Sequence, residues 1–319
     1  MYKPEDVEVF IFAHDRADFL RETIECYLNQ SLTGARIVVL ANAPTPEVLE
    51  LVQAYALQGV ELIYTTELLG LNGSIRWCQQ LASRAITVMA HDDDLIHPAY
   101  LETLLRAYNR FPDLNIALSA MGNWIEETRI PLSRAVILPS ATAFSAYIFL
   151  GHSFTFSSCS YKTARLKEMP SPQFDVYGKV QDVPFMLSAV TNTNATACVL
   201  QYPFILYRIH DGQDCQTYAT GPTAQQWISL DLLHKELMSR GIIKIRLAYI
   251  FNAYHRLRIG WKDWCRCEHG KISFREYIQF SCHMGACGPI REFFGLLLRG
   301  ELRKFILSLL CPFPTINIE

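Results

Sequence analysis

A chain of 319 residues, half of them apolar and 19% charged, buries roughly three quarters of its extended-chain surface if it forms one fold, which excludes intrinsic disorder and dependence on disulfide staples. The net charge of −2 hides a division: residues 1–234 carry 15 Lys and Arg against 24 Asp and Glu, whereas residues 235–319 carry 14 against 7. Ten cysteines, several lying singly in apolar segments as Cys26, Cys78, Cys159 and Cys198 do, read as reduced core thiols rather than a secreted scaffold.

Met1 to Asp6 shows no basic leader or small-residue cleavage site, so the expectation is a cytosolic chain. Val7 to Ala13, interrupted only by Glu8, predicts a strand buried on both faces. Asp15 or Asp18 then caps a helix whose inner face carries Leu20, Ile24, Tyr27 and Leu28. Ala35 to Ala41 predicts a second strand, and Thr45-Pro46 the cap and first position of a helix with Leu49, Val52 and Ala56 inside. Val60 to Tyr64, a helix over 72–84, a strand over Ile86 to Ala90, a helix opened by Pro98 and a strand over Leu114 to Ala120 complete the pattern. Repeated βα units predict an α/β fold with a mostly parallel sheet covered by helices on both faces.

The alternation weakens from 121 to 222, where a helix over Asp182 to Val190 and a strand near Phe204 to Ile209 are expected. We read 1–222 as one catalytic domain with halves 1–120 and 121–222, and 223–319 as a basic helical region. Within the latter, residues 289–311 line up an apolar stripe from Ile290 to Leu310, with Arg291, Arg299, Arg303 and Lys304 largely off it. Such a helix rests on an anionic membrane surface or packs on the catalytic domain or a second subunit. Arg299, Glu301, Arg303 and Lys304 break the longest apolar stretch, so no span is expected. Cys265, Cys267, His269, Cys282, His283 and Cys287 miss the spacing of zinc knuckles and are read as free. Basic residues alternating with Leu and Phe, without a binding module, argue against nucleic acid.

In open α/β sheets, ligands sit beyond the carboxyl ends of the strands. The residues there are His14-Asp15-Arg16, Asn42, Thr65-Thr66-Glu67 and His91-Asp92-Asp93-Asp94. If the chain stays extended after Ala90, Asp92 and Asp94 face one pocket and Asp93 turns aside. Three adjacent carboxylates repel one another unless a divalent cation intervenes, and Mg²⁺ or Mn²⁺ suits one or two carboxylates plus a substrate diphosphate.

On these pieces the chain resembles glycosyltransferase family 2, inverting nucleotide-sugar enzymes with the GT-A fold. Val9 to Arg16 matches the first strand and its nucleotide-facing turn; Leu69-Gly70 with Asn72-Gly73 precedes the third helix; His91 to Pro98 matches the Asp-x-Asp motif. Gln181-Asp182 resembles the family's Glu-Asp pair, whose Asp is the catalytic base, with Gln in place of Glu, and Tyr207-Arg208-Ile209-His210 resembles a Tyr-Arg-x-His segment. The resemblance implies a donor site of Ala13, His14, Asp15, Arg16, Asn42, Gly70, Asn72, Arg76, Asp92 and Asp93. It implies a metal set of Asp94, Asp92 and His210, and Asp182 as base. Ala41 stands where the family often has an Asp directed at uracil, so no uridine preference is implied.

The activity implied is metal-dependent transfer from a nucleotide-diphosphate sugar to a glycan or lipid-linked acceptor in surface polysaccharide synthesis, at the inner face of the cell membrane. Trp124, Phe154, Phe156 and Tyr161 are the aromatic candidates for the acceptor site. Two other functions compete: a sugar-nucleotide nucleotidyltransferase, disfavoured because Ala13 to Arg16 lacks a Gly- and Lys-rich phosphate loop, and a non-catalytic binder, for which Gln181 and Ala41 leave room.

Overall fold

The computed structural model describes residues 1–121, 134–149, 156–208, 210, 223–245, 248 and 315–318. The expected alternation is present: β1 (Val7–Ala13), α1 (Ala17–Leu28), β2 (Arg36–Asn42), α2 (Pro46–Ala54), β3 (Val60–Thr65), α3 (Gly70–Leu81) and β4 (Ile86–His91). A two-residue strand β5 (Leu95–Ile96), α4 (Tyr100–Arg110) and β6 (Leu114–Met121) follow. The remainder comprises β7 (Arg134–Leu138), α5 (Ala141–Phe149), β8 (Ser160–Lys162), α6 (Thr163–Glu168), α7 (Phe174–Tyr177), α8 (Asp182–Ser188), β9 (Thr196–Leu206), α9 (Thr223–Ser239) and β10 (Thr315–Asn317). The basic stripe at 289–311 and the Cys/His group between 265 and 287 lie outside the described residues. No described helix is long and apolar enough to cross a membrane.

All strands join one sheet in the order β10-β7-β9-β6-β8-β4-β1-β2-β3, with β5 attached to β9. Pairing is parallel through β4, β1, β2 and β3, whereas β8 runs antiparallel between β4 and β6. The near-continuous hydrophobicity of β1 follows from burial on both faces. Val7, Val9, Ile11 and Ala13 pack with Leu20, Ile24, Val48 and Leu104, while Phe10 and Phe12 pack on the opposite side with Ile75, Cys78 and Phe144. Each such large apolar side chain contributes about 1.5–3 kcal/mol. Leu233 and Leu237 of α9 join the second of these clusters, and β10 pairs with β7.

The helix starts differ from expectation. Arg16 occupies the cap of α1 without a side-chain cap bond, so neither Asp15 nor Asp18 closes that end. The strand expected near Phe204 is the end of the longer β9. Cys26, Cys78, Cys159 and Cys198 form no disulfide, as expected.

Glu8, the one charge inside β1, is fully buried and fully used. Its carboxylate accepts from the Ser83 and Arg84 amides at 2.7 and 3.0 Å, from Thr87 Oγ1 at 3.1 Å and from Arg36 Nη1 at 3.1 Å. It ties the start of β1 to the loop before β4. Glu8→Ala strands these donors and is expected to lower stability by about 3 kcal/mol in urea unfolding; a loss below about 1 kcal/mol would show that the loop pairs equally well with water.

Candidate active site

β4 delivers His91 to the carboxyl edge of the sheet, and residues 92–93 then form a turn before β5. The Thr23 hydroxyl of α1 holds this turn, reaching the carbonyls of Asp92 and Asp94 at 3.0 and 2.9 Å. The alternation that would point Asp92 and Asp94 together applies only to extended backbone, so it does not survive the turn. Asp92, only 1% exposed, pairs with Arg16 Nη2. Asp93 is 2.6 Å from Arg16 Nη1 and 3.0 Å from His210 Nε2. Asp94, fully buried, accepts from the Ser157 hydroxyl and, at 3.3 Å, from the Arg208 amide.

The trio able to hold a cation is therefore His91, Asp93 and Asp94, whose ligand atoms lie within 4.8 Å of one another. The expected set of Asp94, Asp92 and His210 shares only Asp94 with it: Asp92 is engaged by Arg16, and His210 bonds Asp93. His91 Nε2 is buried and has no hydrogen-bond partner, a lone donor of the kind that a metal site leaves open. Nitrogen with two carboxylate oxygens suits Mn²⁺ and tolerates Mg²⁺. Burial pushes Asp92 up to about 6, with Arg16 offsetting part of the effect. Burial also raises Asp94, whereas at Asp93 it is outweighed by His91, His210 and Arg16, which hold the carboxyl below its usual range.

Asp182 opens α8, with Gln181 at the cap position. The carboxylate accepts from the Val183 amide at 3.0 Å. It keeps part of its surface open, but the protein around it pushes its pKa up to about 6, with the Val183 amide and His91 pulling the other way. The charge of His91 thus acts on Asp182 as well as on Asp93 and Asp94. Gln181 is buried and its Oε1 has no partner.

Of the other predicted donor-site residues, His14 and Asn42 meet at the ends of β1 and β2: His14 Nδ1 lies 2.7 Å from the Asn42 carbonyl, and Asn42 Nδ2 donates to Ala13 O and Ser74 Oγ, both at 3.3 Å. Asp15 is exposed beside them. Gly70 adopts φ +61°, a conformation that suits glycine at the sharp entry into α3. Asn72 Oδ1 is buried without a partner. Arg76 is exposed and joins no ion pair among the described residues, so it is not brought to the acidic turn.

Phe156 packs against the rings of His91 and Phe185, and Tyr161 is a core residue against Phe185; Trp124 and Phe154 lie outside the described residues. Sequence reasoning named His91 at the strand end without giving it a role, and missed Thr23 and Ser157. Only the position of His91 at the end of an apolar strand signalled it.

The site and fold match known proteins. No curated protein matches the chain in sequence. The catalytic fragment of TarS from S. aureus, solved with UDP-GlcNAc, superposes with a TM-score of 0.61 at 14% identity, covering 86% of this chain and 78% of that one. A mannosyltransferase from Pyrobaculum calidifontis, solved with GDP-Man and Mn²⁺, superposes with a TM-score of 0.56 at 13% identity, covering 97% and 88%. The profile described as Glycosyl transferase family 2 matches residues 8–167, from the first sheet strand through the acidic turn and into α6, and the chain belongs to that family as a nucleotide-sugar glycosyltransferase with a GT-A-like fold.

Proposed function

We propose that the protein is an inverting, divalent-cation-dependent transferase that moves a sugar from a nucleotide-diphosphate donor to a glycan or lipid-linked acceptor of a surface polysaccharide. The observation that carries this reading is the convergence of His91, Asp93 and Asp94 at one end of β4, with Asp182 close enough to feel the same histidine. His91, Asp93 and Asp94 would hold the cation, which when bound supplies positive charge to a departing diphosphate. The TarS and mannosyltransferase structures, solved with UDP-GlcNAc and with GDP-Man and Mn²⁺, support a donor of this class.

The chain's own residues divide the work. Arg16 neutralises Asp92 and Asp93 and stands at the donor side, on the turn after β1. Asp182 accepts the proton of the attacking hydroxyl; a pKa near 6 leaves it ionised at neutral pH yet more basic than an ordinary carboxylate. With the leaving group at the acidic turn and the base on α8, attack comes from the face opposite the diphosphate and inverts the anomeric carbon. The basic stripe at 289–311 favours a lipid-linked acceptor at the inner membrane face.

Incubation with a panel of nucleotide sugars and Mn²⁺ or Mg²⁺ is expected to release nucleoside diphosphate, and chelation to abolish the release. Turnover undiminished in chelator would remove the cation from the proposal.

A further inference from the structure

We infer that His14 reads the base of the donor, accepting a hydrogen bond from a ring N–H, and so selects uracil, thymine or guanine over cytosine or adenine. The inference rests on the donor site proposed above. Three observations carry it.

The first is topological. β4, β1, β2 and β3 are consecutive neighbours in the sheet, and the cation-holding trio stands at the end of β4. Asp182 lies on the other side of that trio, where its charge acts on Cys159 and Tyr161 beside and within β8. An in-line reaction places acceptor and leaving group on opposite faces of the sugar. The nucleoside must then extend away from Asp182, across the ends of β1 and β2, where His14 and Asn42 stand.

The second is the tautomer of His14. Its Nδ1 lies 2.7 Å from the Asn42 carbonyl oxygen. A carbonyl only accepts, so Nδ1 carries the proton, and Nε2 of the neutral ring carries a lone pair. Among the described residues nothing pairs with Nε2, and the side chain is half-buried. Asn42 spends its amide hydrogens on Ala13 O and Ser74 Oγ, which leaves only its oxygen for a third partner. The corner formed by these two residues therefore offers acceptors.

The third is the lack of a carboxylate at this position in β2. Ala41 is fully buried and packs with Val39, Val48 and Val52, on the face away from Ser74 and α3. A neutral imidazole nitrogen replaces a carboxylate as the acceptor. Uracil and thymine N3 and guanine N1 carry hydrogens that fit it, whereas cytosine N3 and adenine N1 carry lone pairs that oppose it. A site built around one hydrogen bond discriminates chiefly by leaving its polar atom unmatched with the wrong partner.

Calorimetric titration of the full chain with UDP, CDP, GDP and ADP, each with Mn²⁺, tests this within matched ring sizes. UDP is expected to bind about tenfold tighter than CDP, and GDP about tenfold tighter than ADP, in whichever size class binds. His14→Phe should bring the pair within about threefold by weakening the tighter member. His14→Gln, whose amide turns either its oxygen or its nitrogen to the base, should bring the pair together by strengthening the weaker member, and it guards against a folding defect in the first variant. Equal binding of UDP and CDP and of GDP and ADP to the unaltered protein overturns the inference. So does a preference that survives both variants, or one abolished by Asp15→Asn instead. Failure of all four nucleotides to bind removes the donor site itself, and with it this role for His14.

Discussion

Asp182→Asn is expected to slow sugar transfer by about 10²–10⁴-fold while leaving donor binding intact and making the protein harder to unfold. Asn keeps the shape and the oxygen that accepts from the Val183 amide, but it cannot take a proton from an attacking hydroxyl. The stability gain follows from the elevated pKa. Folding raises the Asp182 carboxyl from 3.8 to about 6, so the folded state favours the neutral form. That preference contributes stability below pH 4, and it is lost as pH rises through 6. At pH 7 the native protein therefore bears an ionisation cost of roughly 2–3 kcal/mol, at about 1.36 kcal/mol per pH unit, which Asn removes. The variant should melt several degrees higher at pH 7 and no higher near pH 4. In the unaltered enzyme the transfer rate should fall as pH drops below about 6. Transfer near the native rate in Asp182→Asn would remove this residue from the role of base, whatever happens to the melting temperature.

The second large effect concerns the acidic turn, whose carboxylates are not equivalent. Asp93→Asn and Asp94→Asn are each expected to weaken Mn²⁺ binding by about 100-fold or more, because each removes one anionic ligand from a set of three. His91→Ala should cost about ten- to a hundredfold. Asp92→Asn should cost little, since Arg16 already engages that carboxylate. Electron paramagnetic resonance of bound Mn²⁺, with and without UDP, reads this ranking directly. Loss of the ion in Asp92→Asn with retention in Asp93→Asn would reverse the assignment.

How far these residues were legible in the sequence depends on the range of the forces that place them. β1, β2 and β4 announce themselves because strands buried on both faces need unbroken apolar runs. β5, β8 and β10 have two or three residues each and exist only through pairing with distant strands, so no local period marks them. The acidic triplet was legible as a site because clustered charge after an apolar strand requires a counter-charge. Its internal division was not: it turns on a reversal at 92–93 held by Thr23, 69 residues away from Asp92. Asp182 was visible through the resemblance of Gln181-Asp182 to a family pair, but its altered acidity comes from tertiary surroundings that sequence does not display. Arg16 was placed at the donor site correctly in position, while its grip on two carboxylates 76 and 77 residues away emerges only in the folded chain.

That grip separates assembly from cofactor loading. In small zinc domains the ligand cluster cannot gather until the ion arrives, so the apo chain is unfolded. Here a guanidinium from the first βα turn serves as a resident counter-ion, and the acidic loop can reach its final shape on the nascent polypeptide without waiting for a cation.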